Sequence, residues 1–271
     1  MIVAGKIIAG KVLDRLKEKI TALPKTPVLG VVLVGDNQSS VIYINKKRQS
    51  CENIGIGFKL FSYPNETTEE NLLTEIERIQ DKEELSALIV QLPLPDGFDT
   101  KKILDAVRPE FDVDCLSSVN IARLRTDNPV FIPPTPGAIL EILNYYNIEL
   151  SGCKIAVVGL GQLVGSPILA ILKQRGYDVT ACDIDTSNRN EIIKNADVLI
   201  TGVGKPKIIT AEMVKNGVVI MDAGISFVDG KTVGDVDFEG IKEKASLVTP
   251  PTGGVGPVTV AKLLENVVKN Q

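Results

Sequence analysis

The sequence predicts an α/β protein with two domains. Short apolar segments typical of buried strands alternate with segments of helical periodicity, and this alternation is typical of a parallel sheet covered by helices on both faces. At 271 residues the chain has the length of one large domain or two ordinary ones. The rigid segment Pro133-Pro134-Thr135-Pro136-Gly137 looks like a hinge between domains.

The first half of the chain contains four predicted helices and three predicted strands. The helices cover 11–22, 40–54, 68–81 and 100–107, and the strands cover 28–34, 58–63 and 87–91. Ser39 or Ser40 is the candidate cap of the second helix, and Gly55 is its stop signal. Two prolines end the third strand and leave Gln91 at its carboxyl end, where ligands of open α/β sheets gather.

The second half repeats this alternation. Strands are predicted at 154–158, 178–182, 198–201 and 218–222, and helices at 138–146, after Val164, Ser187 and Thr210, and at 258–269. A stiff, glycine-punctuated loop, 247–257, precedes the last helix.

The strand at 154–158 runs into the turn Gly159-Leu160-Gly161-Gln162-Leu163-Val164-Gly165. In such a turn, glycines let backbone amides approach a pyrophosphate, whose charge lies at the positive end of the following helix. Asp183 ends the next strand, at the distance where a carboxylate binds the ribose hydroxyls of NAD. We interpret this half as a Rossmann-type dinucleotide-binding domain. The alternatives are a turn that merely packs tightly and, for Asp183, a capping or solvated turn residue, with Asp185 nearby able to play either part.

Composition excludes several classes of site. The chain has no histidine, which rules out Ser-His-Asp and Cys-His relays and histidine metal sites, so proton transfer falls to Lys, Tyr, Asp, Glu or water. Its four cysteines form no C-x-x-C pair, and we expect reduced thiols and no metal. A net charge of −4 argues against nucleic acid as a partner. No apolar run is long enough for a membrane span, and the start lacks a secretory signal, so we expect a cytoplasmic protein.

Tyr43 and Lys47 lie four residues apart on the second predicted helix, so they share a face. An aromatic ring can stack on a flat substrate, and a lysine in a desolvated pocket has a lowered pKa and can exchange protons. Taken alone, the pair is better interpreted as a tyrosine packed on the core beside a solvated lysine. Lys46 and Arg48 are further candidates for the functional cation.

Several motifs together resemble one enzyme family, and they cover nearly the whole chain in order. They are Val34-Gly35-Asp36-Asn37, Ser40-x-x-Tyr43-x-x-x-Lys47, Gln91-Leu92-Pro93-Leu94-Pro95, Asp112-Val113-Asp114, Thr135-Pro136-Gly137, Ala196-Asp197, Gly202-Val203-Gly204-Lys205-Pro206, Asp222-Ala223-Gly224-Ile225, Gly234-Asp235-Val236-Asp237 and Gly253-Gly254-Val255-Gly256-Pro257-Val258-Thr259. The chain resembles the bifunctional methylenetetrahydrofolate dehydrogenase/methenyltetrahydrofolate cyclohydrolase family.

The resemblance implies that the protein oxidises 5,10-methylenetetrahydrofolate with a nicotinamide cofactor and hydrolyses the methenyl product to 10-formyltetrahydrofolate, in one-carbon metabolism and purine biosynthesis. It implies a catalytic domain over 1–136, a nucleotide domain over 137–256, and a C-terminal helix, 257–271, that returns to the first domain, with both reactions in one cleft. A homodimer, formed through the nucleotide domain, is also implied.

The resemblance further assigns site residues. Lys47 is the main catalytic residue, Gln91 orients it, Tyr43 stacks on the aminobenzoyl ring and Asp114 accepts hydrogen bonds from the pterin, although Asp112 is equally eligible by sequence alone. The substrate-binding set adds Leu92, Gly253, Gly254 and Pro257. The cofactor-binding set is Thr135, Gly159, Leu160, Gly161, Gln162, Leu163, Val164, Gly165, Asp183, Ile184, Val203, Gly204, Ile225 and Thr259.

The chain departs from the family pattern at the nucleotide turn and beside the expected cleft. Gly159-Leu160-Gly161 stands where Gly-Arg-Ser is usual, and Asp183-Ile184 where His-Ser often follows the second strand. A guanidinium and a hydroxyl suited to a 2′-phosphate are thus missing, and a carboxylate repels phosphate, so we expect NAD to be preferred over NADP. Cys115 replaces a usual glycine, Pro134 a usual cysteine and Pro251-Thr252 a Val-Pro pair.

Three alternatives remain open. They are a monofunctional NAD-dependent methylenetetrahydrofolate dehydrogenase, a folate- or dinucleotide-binding regulator without turnover, and an amino-acid or shikimate-type dehydrogenase with the same two-domain layout.

Overall fold

The computed structural model describes residues 1–126, 129–183 and 185–270, and these form two compact units. The first unit comprises residues 11–123, 129–134 and 260–270, and the second comprises 1–10, 124–126, 135–183 and 185–259. The domain boundaries expected from the sequence stay a prediction. Within the described ranges, we find no helix that combines the length and apolar character needed to cross a bilayer.

From Gly5 to Arg123 the chain forms five helices and three strands. They are α1 (Gly5–Thr21), β1 (Val28–Val34), α2 (Gln38–Ile54), β2 (Gly57–Tyr63), α3 (Glu69–Lys82), β3 (Ala87–Val90), α4 (Thr100–Asp105) and α5 (Ser118–Arg123). The three strands make a parallel sheet in the order β2-β1-β3. The predicted alternation of strands and helices is confirmed here.

The ends of α2 are determined by local hydrogen bonds. The Asn37 side chain accepts from the backbone N–H of Ser40 and is the N-cap, so the prediction that Ser39 or Ser40 caps this helix was wrong. An asparagine inside a Gly-Asp-Asn turn supplies the cap two residues earlier. Gly55 ends the helix in the left-handed conformation, at φ 86°, as predicted.

One core cluster of the first unit lies between its sheet and the helices α3 and α4. Its buried apolar side chains are Val32, Val34, Leu72, Ile76, Ile79, Leu88, Val90, Ile103, Leu104 and Val107. Because β1 and β3 are buried on both faces, their sequences are continuous apolar runs. Because these buried strands are parallel, their carboxyl ends lie together at one edge of the sheet.

The rest of the chain forms five helices and seven strands within the described ranges. They are α6 (Pro134–Tyr145), β4 (Ile155–Val158), α7 (Gly165–Gln174), β5 (Val179–Cys182), α8 (Arg189–Asn195), β6 (Val198–Thr201), β7 (Val219–Asp222), β8 (Ser226–Val228), β9 (Lys231–Val233), α9 (Phe238–Ile241), β10 (Leu247–Val248) and α10 (Val255–Lys269).

Five of these strands make a parallel sheet in the order β10-β7-β6-β4-β5, and β8 and β9 form a separate antiparallel hairpin. The strand following β4 in the chain lies on one side of it, and β6 lies on the other. The sheet order therefore changes direction at β4, and the carboxyl ends of β4 and β6 flank the point where α/β sheets bind their ligands.

Four local predictions were wrong. Helix α1 begins six residues before the predicted 11–22, and α10 begins at Val255, inside the loop expected to precede it. Helix α6 begins at Pro134, four residues before the predicted 138–146, because prolines are tolerated in a first turn, where the amides they lack have no helical partner. The division between the two units falls between Pro134 and Thr135, within the segment expected to be a hinge. The helix expected after Thr210 is one 3₁₀ turn, Ala211–Met213.

The C-terminal helix packs on the first unit, as expected. The buried Asn266 side chain on α10 donates to the backbone carbonyls of Val113, at 2.9 Å, and Ile132, at 2.8 Å. Both acceptors belong to irregular segments, whose buried carbonyls have no strand or helix partner at these positions. The Asn266 amide therefore provides a hydrogen-bond donor to one carbonyl in each of two segments of the first unit.

We expect Asn266→Ala to lower the free energy of unfolding by about 2 kcal/mol, because two carbonyls lose their donor. Urea unfolding measures the change. The matched control is Asn45→Ala, which makes the same substitution at an exposed site on α2. Equal losses in the two variants would contradict this role for Asn266.

Candidate active site

Lys47 and Gln91 meet in the first unit. Lys47 lies in the third turn of α2, and Gln91 directly follows β3. The Lys47 ammonium donates a hydrogen bond to Gln91 Oε1 at 3.1 Å, and Gln91 Nε2 donates to the Leu92 carbonyl at 2.7 Å. Because the second bond holds the amide plane, Oε1 faces the lysine. Tyr43 is half-buried one turn earlier on α2.

The three adjacent cations on α2 have different surroundings. Lys46 lies over the Tyr43 ring, 5.4 Å from its centroid, and Arg48 lies over the Phe58 ring at 5.1 Å. Lys47 alone of these three bonds to a polar side chain. The structure thus distinguishes cations that helical spacing alone left equivalent.

Burial shifts the pKa values of Lys47, Asp114 and Cys51. Desolvation lowers the pKa of Lys47, and the charge of Asp114 opposes that shift. Desolvation likewise raises the pKa of Asp114, against the influence of Lys47. Burial raises the pKa of Cys51 to about 12, so this cysteine stays a thiol. The Lys47 amine therefore loses its proton more easily than that of an ordinary lysine.

The two aspartates of Asp112-Val113-Asp114 have distinct environments. The buried carboxylate of Asp112 accepts hydrogen bonds from the backbone N–H of Leu116 at 3.1 Å, from that of Ser117 at 2.9 Å and from Asn120 Nδ2 at 3.1 Å. Asp112 thus holds the start of α5. The Asp114 carboxylate has no hydrogen bond to any described residue and is half-buried. Asp114 is the carboxylate available to a ligand.

Cys115 follows Asp114 with φ 57°, in the left-handed region that favours glycine. This backbone geometry explains physically why a glycine suits this position. The departure from the family pattern therefore preserves the turn but places a buried thiol in it.

Ser40 is a polar residue to which sequence reasoning gave only a capping role. It lies seven residues before Lys47 on α2, so the two share a helix face with Tyr43. Its buried hydroxyl is the one fully buried side-chain polar atom without a hydrogen-bond partner among the described residues. The signal in the sequence was the i, i+3, i+7 spacing of polar residues on one face.

In the second unit, the turn after β4 is built around close backbone contacts. Gly159 has φ 83°, and a Cβ on Gly165 would overlap the Gly159 carbonyl. Residues 160–163 are exposed, and α7 has no side-chain hydrogen bond at its N-cap, Val164. The glycines thus leave an exposed turn beside the start of α7, where an anion such as a pyrophosphate can lie, while the Ser166 N–H donates to the Gly161 carbonyl at 3.1 Å.

Asp183 organises the turn after β5. Its Oδ1 accepts from the backbone N–H of Asp185 at 3.1 Å and from Thr186 Oγ1 at 3.0 Å, and the Thr186 hydroxyl accepts from the Asp183 N–H at 3.0 Å. Oδ2 makes no hydrogen bond within the described ranges. The capping role is thus present, and one oxygen remains available to a ligand. The predicted cofactor residue Ile184 lies outside the described residues.

Other predicted residues of the second unit lie close to one another in pairs. Ser226, which follows Ile225, donates from its hydroxyl to the Gly204 carbonyl at 3.0 Å. The Thr259 hydroxyl lies 3.5 Å from that of Thr135.

The Gly253-Gly254 loop is tightly packed. Gly253 has φ 81°, and a Cβ on Gly5 would overlap the Gly254 carbonyl, so the start of α1 lies directly on this loop.

The predicted site residues are thus divided between the two units. Lys47, Tyr43, Gln91, Leu92 and Asp114 lie in the first unit. The described cofactor residues and the substrate residues Gly253, Gly254 and Pro257 lie in the second. Within the part of the chain that the structure describes, no group of His, Cys, Asp or Glu side chains is arranged to hold a metal ion.

Comparison with known families assigns the chain. A model described as the catalytic domain of tetrahydrofolate dehydrogenase/cyclohydrolase matches residues 3–114, and a model described as its NAD(P)-binding domain matches residues 133–271. The chain belongs to the tetrahydrofolate dehydrogenase/cyclohydrolase family. Membership of this family confirms the resemblance and excludes the shikimate-type alternative.

Relatives within the family match along their whole length. The bifunctional protein FolD of Nautilia profundicola is 43% identical over 272 residues, covering 99% of this chain and 96% of the relative. The crystal structure of the bifunctional FolD enzyme of Campylobacter jejuni superposes with a TM-score of 0.96 at 35% identity, covering 100% of this chain and 98% of the other. A Trypanosoma brucei FolD structure, a complex with NADP and an inhibitor, has a TM-score of 0.94 at 30% identity and covers 100% and 96% of the two chains.

The different environments of Asp112 and Asp114 predict different effects of the same substitution. Asp112→Asn loses acceptor atoms for buried donors, and we expect it to lower the free energy of unfolding by about 1–3 kcal/mol. Asp114→Asn removes a carboxylate without such bonds and should change stability by less than about 1 kcal/mol. Urea unfolding at pH 7 compares them. Equal effects, or the reverse order, would show that Asp112 is not the structural carboxylate.

Proposed function

We propose that the chain oxidises 5,10-methylenetetrahydrofolate to the methenyl form with a nicotinamide cofactor, and then hydrolyses that form to 10-formyltetrahydrofolate. The observation that carries the proposal is the hydrogen bond between Lys47 and Gln91, within a family whose named relatives are bifunctional. This bond matters for the second reaction, and the second unit has the features of a nucleotide site for the first.

For hydrolysis, we assign Lys47 as the proton acceptor. Water adds to the methenyl carbon and loses a proton, which a neutral amine can accept. The carbon–N5 bond then breaks as the new hydroxyl becomes the formyl carbonyl on N10, and the hydroxyl proton goes to N5. Burial lowers the pKa of Lys47, which enlarges the neutral fraction at a given pH. Gln91 Oε1 accepts from the amine and so directs its position. Tyr43 offers a ring face for the aminobenzoyl group, and Asp114 offers free acceptor atoms to pterin N–H groups.

For oxidation, a bound nicotinamide supplies the hydride acceptor. The chain contributes the residues that bind and align it. The exposed turn beside the start of α7, with Gly159 and Gly165 in close backbone contact, fits a pyrophosphate. Val203, two residues after β6, lies beside Gly159 in this turn.

We infer a preference for NAD over NADP. The free Oδ2 of Asp183 can accept a ribose hydroxyl, and its charge would repel a 2′-phosphate. Leu160, 37% exposed, offers no charge to such a phosphate. The cofactor seen with the Trypanosoma brucei relative is NADP, so this preference is a property proposed for this chain.

The monofunctional dehydrogenase is the second candidate. It would bind the same substrate and nucleotide but would hydrolyse the methenyl form weakly. The presence of Lys47, Gln91 and Asp114 in one unit favours the bifunctional enzyme, because dehydrogenation alone does not need the proton acceptor.

A homodimer and a cytoplasmic location complete the proposal. Phe227 and Val228, on β8, are 64% and 41% exposed, and adjoining exposed apolar side chains favour association. All four cysteines are free, which is common in a reducing compartment. A role in purine biosynthesis stays a prediction.

The test of the lysine's role compares Lys47→Met with Lys46→Met. Hydrolysis of methenyltetrahydrofolate without nucleotide, followed by absorbance, should fall at least about 100-fold in the first variant because the proton acceptor is gone. The second variant loses only a cation over the Tyr43 ring and should retain activity within about threefold. Comparable losses in both variants, or retained hydrolysis in Lys47→Met, would refute the assignment.

The pH profile gives an independent prediction. As pH rises, Lys47 loses its proton and the accepting form accumulates, so the hydrolysis rate constant should increase with pH. Because burial lowers the pKa, the midpoint should lie below the ordinary value of 10.5. Rates corrected for the uncatalysed reaction at each pH measure it. A midpoint at or above that value, or a rate that falls with pH, would contradict the account.

Cofactor choice is tested by Asp183→Asn against Asp185→Asn. Removing the charge at 183 should raise kcat/KM for NADP relative to NAD by about tenfold, since the repulsion of a 2′-phosphate is lost. The control removes the exposed neighbouring charge and should leave the ratio nearly unchanged. A wild-type preference for NADP, or a larger effect at 185, would show that Asp183 does not select the cofactor.

A further inference from the structure

The Gly234-Asp235-Val236-Asp237 segment contains a fully buried carboxylate that the proposed chemistry does not use. Asp235 accepts four hydrogen bonds. Oδ2 accepts from Thr201 Oγ1 at 2.7 Å and from the Val203 N–H at 2.6 Å. Oδ1 accepts from the N–H groups of Gly204, at 2.9 Å, and Lys205, at 3.0 Å. Asp235 therefore binds the end of β6 and three successive amides beyond it.

Three successive backbone amides directed at one anion form the type of concavity that proteins use to bind phosphate. In this chain the anion is the protein's own carboxylate. Since these amides are already paired, the loop 203–205 is ordered by an internal charge and its N–H groups are not available to a phosphate.

Asp235 is itself held in position from both sides. Its backbone carbonyl accepts from the Ile209 N–H at 3.0 Å. The Asp222 carboxylate accepts from the N–H of Val236, the next residue, at 3.0 Å and from that of Gly224 at 2.9 Å. A Cβ on Gly224 would overlap the Asp235 carboxylate. The carboxylate therefore has little freedom to move, and the loop it binds is fixed to the sheet.

The same loop contacts the turn after β4. A Cβ on Gly159 would lie 2.6 Å from Val203 Cγ2 and 3.2 Å from its Cα, and a Cβ on Gly202 would lie 2.7 Å from the Cβ of Val164. The distances of 2.6 and 2.7 Å are shorter than real Cβ contacts, so the glycine backbone at 159 and 202 packs directly against the valine side chains at 203 and 164. A shift of the loop must therefore displace Gly159 or Val164, on either side of the open turn.

We propose that Asp235 is a positioning residue for the nucleotide: its carboxylate organises the loop 203–205 before any ligand binds, and through that loop it holds the Gly159–Gly165 turn in its binding geometry. The inference rests on the proposed function, which assigns Val203, Gly204 and this turn to the cofactor. Asp235 touches neither cofactor nor substrate in this role.

The first test compares Asp235→Asn with Thr201→Val. In the asparagine variant the side-chain NH₂ faces at least one loop N–H whichever way the amide lies, so at least one loop amide loses its acceptor and the other bonds go to a neutral group. We expect KM for NAD to rise about tenfold or more, with hydrolysis of methenyltetrahydrofolate in the absence of nucleotide changed by less than about twofold. Thr201→Val removes one bond on the strand side and leaves the three loop amides paired, so KM should rise by less than about threefold.

Equal KM values for wild type and Asp235→Asn would overturn the proposal, as would a parallel loss of hydrolysis and NAD affinity, which indicates general unfolding. A wild-type protein that hydrolyses the methenyl substrate but never binds NAD would refute the proposed dehydrogenase function instead.

The second test needs no variant and holds even where Asp235→Asn does not fold. Amide hydrogen exchange of the free wild-type protein should show Val203, Gly204 and Lys205 exchanging as slowly as the amides of β6. Fast exchange that becomes slow only when NAD is added would show that the nucleotide orders the loop, and would overturn the role of Asp235 whether or not the enzyme is active.

Discussion

The hydrogen bond between Lys47 and Gln91, made in a partly desolvated setting, is the interaction on which the proposed chemistry depends. Burial makes the ammonium less stable, and the amide oxygen accepts from it without adding a negative charge. A carboxylate in the place of Gln91 would favour the protonated lysine instead. The neutral partner therefore orients the amine while preserving its lowered pKa.

The scaffold explains why the two side chains meet. Asn37 and Gly55 define the ends of α2, which places Lys47 in its third turn, and the buried run of β3 ends at Val90, which leaves Gln91 at the sheet edge. The second unit uses the same principle at β4 and β6, where buried strands end in glycine turns. In both units, apolar burial determines where the strands end and polar groups occupy the ends.

Much of this arrangement could be predicted from the sequence, and the reason is physical. The strands 28–34 and 198–201 were predicted with the bounds they have, because strands buried on both faces are uninterrupted apolar runs. The pairing of Tyr43 with Lys47 on one face follows from helical spacing alone. The glycine turn and Asp183 likewise follow local spacing rules.

Features set by distant contacts do not follow from local spacing, and for these the sequence had only the family resemblance. Which of Lys46, Lys47 and Arg48 bonds to Gln91 depends on packing across the sheet. Local sequence also leaves Asp112 and Asp114 equivalent, and only the folded start of α5 shows that Asp112 is used structurally.

The role of Asp235 is harder still to predict from the sequence, since its hydrogen-bond partners are 30 to 34 residues away in the chain. A Gly-Asp-Val-Asp segment carries no local sign that its carboxylate orders a loop elsewhere. The errors of about one turn at the starts of α6 and α10 arose because prolines and glycines were taken as breaks, whereas the fold accommodates them at helix starts.

The most direct measurement of the central claim is the titration of Lys47 itself, followed by NMR of ¹³Cε-labelled lysine with Lys47→Met used to assign the signal. The account predicts a pKa below the ordinary 10.5, and an upward movement when Gln91→Glu places a charge beside the amine. A Lys47 signal that titrates at or above the ordinary value in the wild-type protein would contradict it.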